Sequence, residues 1–217
     1  MEPIIRTTEN IDWITILIFG SLLFVVIAKG IFYNRFLNFA ILPFNNKYIF
    51  MYNKKEKLVN WFHIFFSIFL IINFSLFVFF IWKAFSEPSQ QIDAAVFLMI
   101  LAGMIGFIGV KVLLQFANGF IFGTNRAISE IIFKKSSYLN HSGFIMFLAN
   151  VILAYLLKDS KLVIYVALAL IFFVNGIGWI TLLRNHQKLI SNNFFYFILY
   201  LCALEIAPLI ILGSYLK

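Results

Sequence analysis

The hydrophobic pattern of this chain consists of long apolar runs that are separated by short polar connections. A helix needs roughly 20 apolar residues to cross a bilayer. Six runs approach or exceed that length, and most of the charged residues lie between them. We therefore predict an all-α integral membrane bundle of about six transmembrane helices, with residues 1–217 forming a single membrane domain. The predicted spans are residues 13–32, 58–82, 94–116, 142–157, 162–183 and 194–216.

Three sequence features predict how these helices are arranged. Apolar side chains recur on one helical face of residues 125–135, which predicts a short interfacial amphipathic helix. Residues 48–52 (YIFMY) are too apolar for a free loop, so we expect them to lie in the interface or to fold back against the helices. Gly103, Gly106 and Gly109 share one face, and small residues let helices approach closely in lipid. The third span is therefore predicted to be a central, tightly packed helix.

The composition supports a protein that is solvated by lipid. Hydrophobic residues make up 63% of the chain and charged residues 12%, whereas about a quarter of the residues in a soluble domain are charged. The net charge of +8 could indicate nucleic-acid binding. The cationic residues cluster in the short connections, however, as expected for a membrane protein. We therefore predict the lipid bilayer, and no nucleic acid, as a partner.

The distribution of cationic residues predicts the orientation. Twelve of the 17 Lys and Arg residues fall at the connections 1–2, 3–4 and 5–6. Cytoplasmic connections carry an excess of Lys and Arg, so these three are predicted to be cytoplasmic and both termini to lie on the other side. The first 12 residues contain three acidic residues and one Arg. Since a signal peptide begins with a basic region, we expect the first run to remain as a span.

A carboxylate near the bilayer midplane is the main candidate for a functional group. Glu205 lies near the middle of the last run, where a charge costs at least about 2.5 kcal/mol. It could be protonated and hydrogen-bonded, face a water-filled path, or pair with Lys111. The alternative for Lys111 is that its side chain extends to the cytoplasmic headgroups. Pro208, one turn after Glu205, removes a backbone hydrogen bond, as in the broken helices of transporters and in ordinary kinked helices.

Gln115 and Asn175 complete the predicted intramembrane polar site. For both, as for Asn73 and Asn150, hydrogen bonds that hold helices together are the favoured interpretation. The three histidines lie on separate elements without the spacing of metal ligands, so no metal site is predicted. Because the chain shows no phosphate-binding loop, HExxH, GxSxG or paired carboxylates, we predict no catalytic residue and no cofactor. An enzyme acting on lipid is the least favoured function that remains open.

A short C-terminal stretch resembles a known family. Residues 200–209 (YLCALEIAPL) and 120–123 (FIFG) are similar to an uncharacterised family of small polytopic inner-membrane proteins of Bacteroidetes, classified as a domain of unknown function. The number of spans and the chain length also fit this family. The resemblance implies the inner membrane of a Gram-negative bacterium. Together with the orientation predicted from the cationic residues, this places both termini in the periplasm. It implies no activity and no catalytic residue.

Two classes of function follow from these observations. The first is a non-enzymatic subunit or accessory protein of an envelope assembly, with other membrane proteins as partners. The second is a small transporter or lipid-handling carrier that uses an intramembrane Glu205–Lys111 pair. In either class, the basic cytoplasmic rim could also bind anionic lipid.

Overall fold

The computed structural model describes residues 12–52, 60–85, 94–121 and 125–185. Every regular element in these ranges is a helix. The elements are α1 (Asp12–Ile31), α2 (Tyr33–Ala40), α3 (Lys47–Tyr52), α4 (Trp61–Phe85), α5 (Ala94–Ile121), α6 (Asn125–Val151), which continues into a π-helical turn (Ile152–Leu156), and α7 (Lys161–Asn185).

The predicted all-α membrane bundle is confirmed. Five helical stretches of the described chain are long and apolar enough to cross a membrane, and they overlap the first five predicted spans. The sixth predicted span, residues 194–216, lies outside the described residues. The five stretches are Asp12–Ile31, Trp61–Phe85, Ala94–Gln115, Ser129–Leu156 and Lys161–Thr181.

The prediction that residues 125–135 form a separate interfacial helix is wrong. These residues form the first part of α6, which continues without a break into the fourth membrane span. The polar residues that follow do not interrupt the helix because the Ser137 and Ser142 hydroxyls donate to backbone carbonyls one turn earlier, at 2.7 and 3.2 Å. Their polarity is thus satisfied inside the helix.

Residues 48–52 fold back against the bundle, which is one of the two arrangements predicted for them. They form most of α3, in which Tyr48 and Ile49 are buried. The preceding short helix, α2, buries Arg35 and Phe39 against the same core. The connection between the first two long helices is therefore a compact layer that covers one end of the bundle.

The helices at the centre of the described bundle are α4 and α6. Half of the apolar stretch of α4 is buried (50%), against 6% for α5. The prediction that the third span is a central helix is therefore wrong for the described residues. Among the described residues, a Cβ atom added at Gly103, Gly106 or Gly109 would have no neighbour within 4 Å. Glycine spacing shows where one helix can approach another closely. In this bundle, however, the aromatic and polar side chains of α4 and α6 make these two helices the central pair.

Two other glycines lie at the close contacts between helices. A Cβ atom at Gly178 of α7 would lie 2.7 Å from Cγ of Tyr138 in α6. At Gly143 of α6 it would lie 3.2 Å from the Phe69 ring in α4. Both glycines let an aromatic ring of one helix lie directly on the backbone of its neighbour, which is the packing that lipid-embedded helices favour.

We predict that Gly178→Ala destabilises the protein. The added methyl group must displace the Tyr138 ring, and overpacking of this kind costs about 1–3 kcal/mol. Gly176→Ala is the matched control in the same helix, because its Cβ atom would have no neighbour within 4 Å. Thermal unfolding in detergent should show a lower Tm for Gly178→Ala alone. Equal Tm values for the two variants would contradict the packing of α6 against α7.

Candidate functional site

The predicted polar site lies only partly within the described residues. Glu205 and Pro208 lie outside them, so the Glu205–Lys111 pair stays a prediction. Lys111 is half-buried in α5, and its Nζ lies 6.0 Å from the centre of the Phe107 ring. Gln115 lies one helical turn further along the same face and is buried. The structure therefore places Lys111 and Gln115 together near the predicted cytoplasmic end of α5.

Lys135 of α6 joins this pair, although the sequence prediction did not include it. Its side chain lies within interaction range of Lys111. The Lys135 Nζ is buried and lies 5.2 Å from the centre of the Trp179 ring in α7. A cation over the face of an indole ring is stabilised by the negative charge density of the ring. Two lysines from neighbouring helices are thus held close together inside the bundle.

Asn175 belongs to a different level of the bundle. Its side-chain nitrogen donates to Ser142 Oγ at 2.9 Å and to the Ile171 carbonyl at 2.8 Å. Ser142 lies about 10 Å further along α6 than Lys135, from the helical rise per residue. Asn175 therefore holds α7 against α6, and the structure does not bring it to Lys111.

A third polar group connects three helices near the middle of the membrane. The fully buried Asn73 in α4 donates to Ser21 Oγ in α1 at 3.1 Å. Asn150 in α6 donates from Nδ2 to the Asn73 carbonyl at 2.8 Å and is 3.4 Å from its side-chain oxygen. These hydrogen bonds fit the helix-packing interpretation of both asparagines.

The most extensive polar network lies under α2 and α3. Arg35, only 4% exposed, donates from Nε and Nη2 to the Tyr48 hydroxyl, each at 3.4 Å. That hydroxyl is 3.2 Å from Nε2 of His63, and His63 Nδ1 is 3.4 Å from the amide nitrogen of Asn140. One network therefore joins α2, α3, α4 and α6.

Aromatic rings enclose the cation of this network. The Arg35 guanidinium carbon lies 4.7 Å from the centre of the Tyr52 ring and 4.8 Å from that of Phe62. The Phe133 ring stacks on Tyr48 at an interplanar angle of 9°. The ring faces stabilise a charge that would otherwise be costly to bury. In the sequence, Arg35 is one of the 12 cationic residues that predict the orientation, and the aromatic residues around it are the signal that could have indicated this arrangement.

The described residues contain no group of three His, Cys, Asp or Glu side chains that could hold a metal ion. His63 is committed to Tyr48 and Asn140, and His141 lies between the Phe39 and Phe144 rings.

We predict that Tyr48→Phe destabilises the protein, because the change removes the hydroxyl to which Arg35 donates and leaves a buried donor unsatisfied. The expected loss is about 1–3 kcal/mol. Tyr52→Phe is the matched control, since Tyr52 contacts Arg35 through its ring face, which this change preserves. The measurement is Tm in detergent together with protease resistance of residues 33–52. If Tyr52→Phe has the same effect as Tyr48→Phe, the hydroxyl is not the group that matters.

We also predict that Asn73→Leu lowers stability by about 1 kcal/mol, because interhelical hydrogen bonds in membranes contribute roughly 0.6 kcal/mol each. Ser75→Ala is the control. Ser75 is equally buried in α4, and within the described chain its hydroxyl has no hydrogen-bond partner. Equilibrium unfolding in mixed micelles should separate the two variants. A larger loss for Ser75→Ala would refute the assignment of Asn73 as the residue that joins α1 to α4.

Comparison with known proteins identifies the family of this chain. The family DUF4271, described as a domain of unknown function, matches residues 14–216. No curated protein and no solved structure shows a match to the chain. The predicted membership of a family of unknown function is therefore confirmed, while an origin in Bacteroidetes stays a prediction. Because the match covers nearly the whole sequence, the chain belongs to the DUF4271 family.

Proposed function

We propose that this protein is a non-enzymatic subunit or accessory protein of an assembly in the bacterial inner membrane. The observation that carries the proposal is the open glycine face of α5. Within the described part of the chain, a Cβ atom at Gly103, Gly106 or Gly109 would have no neighbour within 4 Å, and the nearby Met99 is 80% exposed. Exposed apolar side chains are ordinary in lipid, but a row of small residues lets the backbone of a second helix approach closely.

The use of the interior polar groups supports the same proposal. Asn73, Asn150 and Asn175 form hydrogen bonds between helices, and Tyr48 joins Arg35 to His63. These contacts build a rigid scaffold. In this proposal the helix that covers the glycine face of α5 belongs to another envelope protein. That helix presents small and apolar residues to α5.

The proposed orientation places the α2–α3 layer in the cytoplasmic half of the bilayer and the N-terminus in the periplasm. The support is the excess of Lys and Arg at the connections on that side. The Lys83–Asp159 ion pair, with a separation of 3.5 Å, then lies at the periplasmic ends of α4 and α6.

A second candidate is a small transporter or lipid-handling carrier that uses Glu205 with Lys111. The observation that favours it is the convergence of Lys111 and Lys135 within the membrane-spanning part of α5 and α6. In this candidate Glu205 exchanges between Lys111 and a cargo, and Pro208 loosens the last helix around it.

Gly106→Leu tests the first proposal. Since a Cβ atom at Gly106 would have no neighbour within 4 Å in the described part of the chain, we expect this variant to fold with an unchanged Tm. Gly20→Leu in α1 is the control, since its surroundings are equally open. The measurement is the mass of the protein in mild-detergent extracts of the native host. Wild type and the Gly20→Leu control should have the mass of a complex with a different protein. Gly106→Leu should have the mass of the single chain.

Three results would refute the subunit proposal: a wild-type chain that runs alone, a complex that survives Gly106→Leu, or a complex that contains only further copies of this chain.

Glu205→Gln separates the two candidates. A subunit keeps its complex in this variant. A carrier contains a carboxyl group that exchanges with water, and infrared difference spectra of wild type against Glu205→Gln should show it titrating near neutral pH. A carboxyl that stays protonated throughout the alkaline range excludes the carrier.

A further inference from the structure

The outer face of the layer formed by α2 and α3 is predominantly apolar. The inner face packs on α4 and α6 through Arg35, Phe39 and Tyr48. On the opposite face of the described chain, Phe44 is 94% exposed and Phe50 is 69% exposed. The large exposed apolar side chains of this outer face are Tyr33, Leu37, Ile41, Phe44, Phe50 and Met51.

The spacing of these residues separates the two faces of α2. Tyr33, Leu37 and Ile41 follow each other at intervals of four residues, so they lie on one side of the helix. Arg35 and Phe39, also four residues apart, are buried on the other side. Large apolar patches that stay exposed mark contacts with another protein or with a membrane. The outer face of the layer is such a patch.

The connection from α1 places this patch near the membrane boundary. α1 has 20 residues and is about 30 Å long, which equals the thickness of the hydrocarbon core. It ends at Ile31, and α2 begins at Tyr33. The Phe32 amide donates to the Ala28 carbonyl, and the Phe36 amide donates to the Phe32 carbonyl. The chain therefore passes from α1 into α2 without a loop that would carry it away from the bilayer.

Contacts with α4 give the depth of the layer. The centre of the Phe39 ring lies 4.6 Å from that of Phe66. Phe66 is five residues after Trp61, the first residue of α4, and therefore about 7–8 Å along the helix. With 25 residues, α4 is about 37 Å long and exceeds a hydrocarbon core of about 30 Å by only a few Å at each end. Phe66 thus lies within the apolar region, and α2 reaches the same depth.

The charges around the layer are complementary to a lipid leaflet. Residues 29–52 contain three cationic residues and no Asp or Glu. Arg35 is enclosed by rings, whereas Lys29 and Lys47 are exposed and can extend to the headgroups, which include anionic lipids. The exposed side of α1, which ends with Ile31, continues directly into the outer face of α2. One lipid-facing surface therefore runs from the membrane-spanning helix onto the layer.

We propose that the outer face of the α2–α3 layer binds the lipid leaflet at the boundary between headgroups and acyl chains. The layer is then shielded from water on both sides, by α4 and α6 on its inner face and by lipid on its outer face. The lipid contact does not depend on what covers the glycine face of α5.

The experiment measures the depth of single side chains in the bilayer. The full chain carries Cys202→Ser, which removes its single cysteine, and receives one new cysteine at a time for spin labelling. It is placed in nanodiscs of phosphatidylcholine and phosphatidylglycerol. Power-saturation electron paramagnetic resonance compares collisions with oxygen, which concentrates in lipid, with collisions with a water-soluble nickel chelate. Labels at Phe44 and Phe50 should favour oxygen and report a depth of about 5–10 Å below the headgroups.

Two reference positions calibrate the measurement. Phe172 is 74% exposed and lies about 16 Å from the start of α7, so its label should report the middle of the bilayer. Lys158 is exposed in the turn before α7, and its label should favour the nickel chelate.

Two results would overturn the lipid contact. Labels at Phe44 and Phe50 that behave like the label at Lys158 would place the outer face in water. Labels that meet neither reagent would show that protein covers this face, whether a second copy of the chain or another part of it. Leu37 and Ile41 provide two further positions on the same face, so they decide the matter if a label at Phe44 or Phe50 prevents folding.

Discussion

Helices surrounded by lipid gain little from burying apolar side chains against each other, so polar bonds and close packing decide their positions. This constraint explains the described fold. Asn73 joins α4 to α1 and α6 in the middle of the membrane, and Gly178 lets Tyr138 lie directly on α7. Without such contacts, five helices of similar hydropathy could pair in many ways. With them, α4 and α6 form the centre.

The two basic clusters of the described chain differ in what they do with their charge. Arg35 is enclosed by aromatic rings and bonded to Tyr48, which makes it a fixed part of the architecture. Lys111 and Lys135 lie on two neighbouring helices within interaction range of each other, and the buried Lys135 nitrogen lies over the Trp179 ring of α7. The first cluster stabilises the layer formed by α2 and α3, and the second places a lysine of α6 against α7.

Five of the predicted spans overlap apolar helices of the described chain, because a helix must reach a fixed length of apolar residues to cross the bilayer, and this requirement is local. It did not predict that α6 would continue through Ser137 and Ser142, because the back-bonding of their hydroxyls is not visible in hydropathy. The glycine spacing of α5 was overvalued for a similar reason. The same residue type lies at a close contact in Gly178 and faces open space in Gly106, and the difference depends on the neighbouring helix. The Arg35 network was missed because its partners are distant in the chain.

That distance has a consequence for biogenesis. Arg35 and Tyr48 leave the ribosome long before Asn140, which lies about a hundred residues later and completes their network. The Phe62 ring that faces the Arg35 guanidinium belongs to α4, and the Phe133 ring that stacks on Tyr48 belongs to α6. The layer that covers one end of the bundle therefore cannot complete these contacts before α4 and α6 have been inserted.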